Sequence, residues 1–288
     1  MRLVLGADTL CWHQRLEHRD LTLDECIAEA ADAGAHFVQL SLHHAREHSE
    51  RELAALARRA GDLGLALLAS GDPLGGAHRG ESARTAAARV EGWLERAAAL
   101  GSPILRVASG FYRADLASIP GAIESERQWT IEALGAAVPA ARSAGIVLAI
   151  ENHSDFTVAE YGSILDGVGD ALGVFLDLNN PISAFEDPVP VIRALAPRAV
   201  AGHVKDFALE SIWTDGRYHR YGFSVLWRYP GEGAADLGAL FAALAGGLAG
   251  RELQLAVEGL DNTADRRDQV DRLRRSFALI GELTSEEG

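Results

Sequence analysis

The stretch from Ile146 to Leu178 decides the fold. "IVLAIEN" (146–152) and "LGVFLDL" (172–178) are short continuous apolar runs, and residues 157–166 between them read as helix. A strand buried on both faces shows such a run, and a helix is the usual crossover between two parallel strands. The unit repeats outward in both directions. Toward the N-terminus, strands at 3–8, 36–41, 65–70 and 104–109 precede helical segments at 22–34, 49–63, 82–100 and 124–144. Toward the C-terminus, strands at 199–206 and 252–259 precede helices at 235–249 and 263–281, and 172–178 precedes a helix at 188–196. Thr22 and Glu25 have capping-box spacing, and Gly34 can end that helix.

Eight strand–helix units in 288 residues predict an α/β chain folded as a closed (β/α)8 barrel. The alternative is a doubly wound open sheet, which the lack of a Gly-rich phosphate turn after the first strand weakens. No linker or composition break interrupts residues 1–288, so one domain is expected. Residues 207–231 break the rhythm. Asp215 and Gly216 form a hairpin turn signal among Trp213, Tyr218, Tyr221, Phe223, Trp227 and Tyr229, which predicts a β-hairpin insertion after strand seven. It reads as a lid over the mouth, as a protein interface, or as packing on the barrel rim.

The formal charge of −14 argues against non-specific binding to nucleic acid or anionic membrane. Two cysteines, Cys11 and Cys26, lack metal-type spacing and suit a reducing compartment. The N-terminal "MRLVLGADTLCWH" is too short in apolar residues for a signal-peptide core, and no apolar run reaches membrane-helix length. A cytoplasmic location is expected.

Active sites of such barrels are built at the C-terminal ends of the strands. Four consecutive strands end in a potential metal ligand: Glu151, Asp177, His203 and Glu258. Side chains alternate along a strand, so Glu151 shares a face with Ala149, Asp177 with Phe175, and His203 with Ala201. Those small inward residues are expected to leave room in the barrel centre. One carboxylate at a strand end also suits a helix cap or an ion pair. Four at corresponding ends do not, and three buried carboxylates without a counter-charge would repel one another. An oxygen-rich set with one imidazole suits Mn2+ first, then Mg2+, Co2+ or Zn2+.

Lys205, the only lysine in the chain, lies two residues beyond His203 and on the same face. It neutralises a developing oxyanion or pairs with the carboxylates, or else forms a buried ion pair with Asp206 or a rim acid. Asp206, of opposite parity, reads as structural. His153 follows Glu151 on the inward face and is a substrate ligand, a general base, or a partner that orients Glu151. Trp12 and His13 after strand one and Asp72 after strand three are expected to face the same cavity and bind substrate. Glu232 is expected to touch the hairpin base or the substrate. His43, His44, His48 and His78 read as surface loop residues.

The motifs "AIENH" (149–153), "FLDLNN" (175–180), "GHVKD" (202–206), "YPGEG" (229–233) and "AVEG" (256–259) resemble the xylose isomerase-like barrel superfamily of sugar isomerases and epimerases, over nearly the whole chain. The resemblance implies one divalent metal, often Mn2+, on Glu151, Asp177, His203 and Glu258. It implies deprotonation of a keto sugar to an enediolate, with Glu151 and Glu258 as acid/base groups and Lys205 as a further catalytic residue. Asn180 stands where the family often has a histidine that contacts substrate, so the contact here would be an amide's.

The function these residues point to is metal-dependent isomerisation or epimerisation of a keto sugar or keto-glycoside. A second reading keeps the site and changes the reaction to elimination from a 3-oxo-glycoside, as in C-glycoside deglycosidases that work with a small β partner subunit. An apurinic-site endonuclease is more remote, since it needs further His and Glu ligands and a basic rim. A metal-free binding barrel fits the ligand set least. A homo-oligomer is compatible with the helices of such a barrel.

Overall fold

A computed structural model describes residues 1–213, 221–259 and 268–285. Eight parallel strands close into a barrel: β1 (Arg2–Asp8), β2 (Phe37–Ser41), β3 (Ala66–Ser70), β4 (Ile104–Val107), β5 (Val147–Glu151), β6 (Leu172–Asp177), β7 (Ala199–Val204) and, after the hairpin strands β8 (Asp206–Trp213) and β9 (Tyr221–Arg228), β10 (Glu252–Val257). Neighbours around the barrel follow chain order, and β10 closes it against β1 with Gly6 beside Ala256 and Ala7 beside Val257.

Local chemistry explains where the outer helices begin. Thr22–Glu25, Ser49–Glu52 and Thr157–Glu160 make reciprocal capping boxes, each satisfying two backbone N–H groups that a helix start leaves open. The long helix Ala122–Ala144 ends at Gly145, whose φ of 67° a side chain would disfavour. The final helix, expected over 263–281, is described over Gln269–Ser285; residues 260–267 lie outside the described residues.

Inside the barrel, Phe37, Leu68, Ile104, Ala149, Phe175, Ala201 and Ala256 form one buried apolar layer. The expectation that small inward residues leave the centre open is corrected here. Ala149, Ala201 and Ala256 are small, but Phe37 and Phe175 are 0% and 1% exposed and fill the space beside them. A Cβ on Gly6 would strike the Phe37 ring, which is why β1 carries glycine there. This packed floor seals the barrel and confines any chemistry to the layer above it.

The hairpin follows strand seven as expected, with β8 and β9 antiparallel and Asp206 opposite Arg228. Its turn at Asp215 and Gly216, and Tyr218, lie outside the described residues, as do the side chains of Trp213 and Tyr221. Tyr229 belongs to the core, 1% exposed, with its hydroxyl donating to the Cys11 carbonyl at 3.3 Å. Asp206 anchors the hairpin base by accepting from the backbone N–H groups of Phe207, Gly231, Gly233 and Ala235. Both cysteines are buried free thiols. Among the described residues no helix is long and apolar enough to cross a membrane.

Candidate active site at the mouth of the barrel

Two residues beyond the apolar layer, on the same faces of the same strands, the interior turns polar. Asp8, Gln39, Ser70, Arg106, Glu151, Asp177, His203 and Glu258 succeed Gly6, Phe37, Leu68, Ile104, Ala149, Phe175, Ala201 and Ala256. Apart from Arg106, every member is 4% exposed or less. Charges so desolvated must be answered by other charges or by hydrogen bonds.

His203 is the hub. Its Nδ1 lies 3.0 Å from Glu151 Oε1, 3.7 Å from Asp177 Oδ2 and 3.8 Å from Glu258 Oε1. Its Nε2 faces Asp8 Oδ2 at 3.1 Å and Gln39 Oε1 at 3.0 Å. Asp8 and Gln39 thus hold the far side of the ring and aim Nδ1 at the three carboxylates. Asp177 is fixed in turn by the backbone N–H groups of Asn179 and Asn180, which donate to its Oδ1 at 2.8 and 2.7 Å. Asn152 bonds the Asp177 backbone twice, both at 2.8 Å.

Two long cations complete the site. Arg106 donates to Glu151 Oε2 and reaches Ser70 Oγ at 3.2 Å. Lys205 pairs with Glu258 Oε2 and, at 2.8 Å, with Asp177 Oδ2, and its ammonium sits 4.4 Å from the centre of the Trp227 ring on the hairpin. Arg106 and Lys205 thus give the buried carboxylates counter-charges from the chain itself. The pairing also sets protonation. Burial pushes Glu151 up, but Arg106 and His203 outweigh it and hold the carboxyl well below the usual range. Burial likewise raises Glu258, yet Lys205 and His203 bring it below its ordinary value. Asp177 rises, chiefly through burial. Burial pulls the His203 imidazole down, but Glu258, Asp8 and Glu151 lift it to about 10.

The donor set nonetheless fits a divalent cation. Asp177 Oδ2 is buried and has the Lys205 ammonium, at 2.8 Å, as its partner. It, Glu151 and His203 each offer a ligand atom within 4.8 Å of the others, and Asp8, His203 and Glu258 form a second such triplet. Three carboxylates and an imidazole nitrogen are a hard-to-borderline set.

The other expected contacts are distributed differently. Asn180 Nδ2 donates to Glu151 Oε1 and to the Asn152 carbonyl, both at 3.3 Å, so it sits within the cluster. His153 is half-buried with its ring centre 5.6 Å from that of Tyr112, while Glu151 hydrogen-bonds Arg106, Asn180 and His203. His13 meets His44, and Asp72 stands half-exposed 3.9 Å from His43. Trp12 and Glu232 find their partners outside the cluster. Trp12 is 0% exposed and donates its indole N–H to Glu29 on the outer helix Leu23–Asp32, which seats it in packing behind the site. Glu232 takes the first of its two expected places, bound by Arg272 and facing Arg275 at 3.7 Å, and so ties the hairpin base to the last helix. His44 is half-buried, and that burial, with His13 and His43 beside it, lowers its pKa to about 4.

Asp8, Gln39 and Arg106 were not singled out from sequence. The signal was present: each is a polar residue at inward parity inside a run such as "HFVQLS" or "ILRVAS".

No curated protein matches the chain by sequence. Among solved structures it is similar to a D-psicose 3-epimerase solved in the presence of D-fructose (20% identity, TM-score 0.72, covering 98% of this chain and 99% of that one). It is similar to the IolI protein with a zinc atom (15%, 0.72, 99% of each) and to 3-keto-D-glucoside 4-epimerase YcjR from E. coli (15%, 0.68, 98% and 100%). At such identities the likeness is one of fold. The polar ring above a packed apolar floor agrees with a match over residues 27–285 to the model of one family, and on that match the chain belongs to the xylose isomerase-like TIM barrels.

Proposed function

We propose that the chain is a divalent-metal-dependent isomerase or epimerase of a keto sugar or keto-glycoside. One observation carries the reading: His203 Nδ1 stands within 3.8 Å of Glu151, Asp177 and Glu258, with Lys205 pressed against two of them. The D-psicose and 3-keto-glucoside epimerases among its structural neighbours, and the zinc atom of the IolI protein, support it.

Glu151, Asp177, His203 and Glu258 would hold the ion, with Mn2+ the first choice and Mg2+, Co2+ or Zn2+ as others. Such an ion supplies Lewis acidity at a sugar carbonyl and its neighbouring hydroxyl. The chain does the rest. Arg106 and Lys205 keep Glu151 and Glu258 ionised, so either can accept the proton beside the carbonyl. The electron pair left on carbon moves onto the carbonyl oxygen as an enediolate, whose negative charge Lys205 meets. Inversion follows when the other carboxylate, having taken a proton from solvent, delivers it to the opposite face of that carbon while the first releases its own to solvent; return of the first carboxylate's proton at the neighbouring carbon isomerises the sugar. The Phe37–Phe175 floor excludes water from below.

The test is exchange in D2O with Mn2+-loaded protein and a panel of ketohexoses and 3-keto-glucosides, read by NMR. Deuterium should enter carbon next to the carbonyl, and Glu151→Gln and Glu258→Gln should each abolish it. No exchange across the panel with metal bound would overturn the reading.

The seating of His153 against Tyr112, away from the hydrogen bonds of Glu151, favours one second reading. There His153 serves a leaving aglycone, and the reaction is elimination from a 3-oxo-glycoside, as in a C-glycoside deglycosidase with a small partner subunit. Aglycone release that His153→Gln suppresses while deuterium exchange persists would select it.

A further inference from the structure

Three histidines outside the central cluster converge at the same end of the barrel. His13 opens the short helix His13–Glu17 after β1, and His43 and His44 lie in the turn after β2. Their ring centres are 5.2, 5.8 and 6.5 Å apart. His13 Nδ1 is 2.9 Å from His44 Nε2, and Glu17 Oε1 is 3.2 Å from His43 Nε2.

We propose that His13, His44 and Glu17 form a second metal site, separate from the central one, that takes a borderline divalent transition ion such as Zn2+. One ligand atom from each already lies within 4.8 Å of the others. Tetrahedral zinc with bonds of about 2.0–2.1 Å to imidazole sets its ligand atoms about 3.3 Å apart, so the two nitrogens need to open by only a few tenths of an ångström. Two imidazoles and one carboxylate select zinc over Mg2+ or Ca2+, which prefer all-oxygen sites.

The surroundings are those of a built site. His44 Nδ1 lies 2.9 Å from Thr9 Oγ1, and that hydroxyl oxygen also accepts the Ser41 N–H at 3.0 Å. A ring held at its far nitrogen aims the near one, as outer partners of metal-bound histidines do. His43, at 3.2 Å, steadies Glu17. A cavity of about 380 Å³ borders Glu17, His44 and Arg46, though not His13. Arg46 also grips Glu17, at 3.0 and 3.4 Å, so the ion must share that carboxylate with a guanidinium. Arg46 is half-exposed and able to yield. Thr9 follows Asp8, which holds His203, so the two clusters share one strand end.

The experiment loads the full chain with Zn2+, dialyses it against metal-free buffer and counts zinc by mass spectrometry. In the Asp177→Ala background one equivalent should remain, and adding His13→Gln and His44→Gln should remove it. In the wild-type background the same pair should remove one equivalent, whatever the central site holds. His13→Gln alone, at the half-buried rim, serves as the variant least at risk of misfolding, checked by circular dichroism. X-ray absorption at the zinc edge of Asp177→Ala should show two imidazole ligands. A zinc count unchanged by the histidine substitutions in both backgrounds, or an Asp177→Ala protein that keeps none, overturns the proposal. Either result leaves the central-site reading to its own test.

Discussion

Two arginine–glutamate pairs stand at the same end of the barrel and differ in almost everything else. Arg106 and Glu151 rise from adjacent strands, with side chains 12% and 0% exposed. Arg46 and Glu17 belong to a loop and a short helix, with side chains 49% and 30% exposed. The strand-borne pair is fixed by backbone hydrogen bonds on both sides and has little water to fall back on. The loop-borne pair can separate and be solvated. The same two residue types therefore make a structural necessity in one place and an exchangeable contact in the other.

Removing the buried guanidinium should produce the largest effect. Arg106→Met leaves Glu151 charged in the interior with only His203 and Asn180 to answer it. A loss of about 3–5 kcal/mol is expected in urea unfolding of the metal-free protein. A loss below about 1 kcal/mol would mean that His203 alone neutralises Glu151. Mn2+ should then restore part of the loss, because a bound ion stabilises by about 2.7 kcal/mol at a hundred times its Kd. It should restore none when Asp177→Ala is added.

Next comes the group that aims the hub. Asp8→Ala removes the acceptor on the far side of His203 while leaving the four expected ligands in place. Mn2+ affinity, followed by titration, should fall about 10–100-fold. Unchanged affinity would mean that Gln39, at 3.0 Å from the same nitrogen, suffices.

These partners show what the sequence could reveal. A strand repeats every two residues, so Glu151, Asp177, His203 and Glu258 could be assigned to one face before any coordinates. The same parity covers Asp8, Gln39 and Arg106, but a lone polar residue in an apolar run does not say which acid or imidazole it serves. Volume was less legible still. Ala149 and Ala201 read as empty space, whereas Phe175 from the strand between them and Phe37 from β2 consume it. Loops carry no period at all. His13 and His44 meet across 31 residues only because β1 and β2 pair, and nothing in "SLHHAREH" distinguishes His44 from His43 or His48.

Trp227 tests whether the hairpin serves the strand-borne cluster. Trp227→Ala removes the ring facing Lys205 at 4.4 Å, a contact worth about 0.5–2 kcal/mol depending on how dry it is. Unfolding should shift by that amount. If the ring also shields the site, turnover should fall while Mn2+ affinity holds. Equal losses in both would instead place Trp227 in the support of Lys205.

The smallest effect is expected at the loop-borne pair, and it separates stability from binding. Arg46→Met breaks an ion pair that water can replace, so unfolding should change by no more than about 1 kcal/mol. Glu17 would keep its contact with His43 at 3.2 Å and lose its competing guanidinium. Zinc retention in the Asp177→Ala background should therefore hold or rise. If it falls with stability unchanged, Arg46 orients Glu17 toward the ion rather than competing for it, and the loop pair is organised for binding in the way the strand pair is. If stability falls by several kcal/mol, exposure has misjudged the loop, and the contrast between the two pairs is one of position alone.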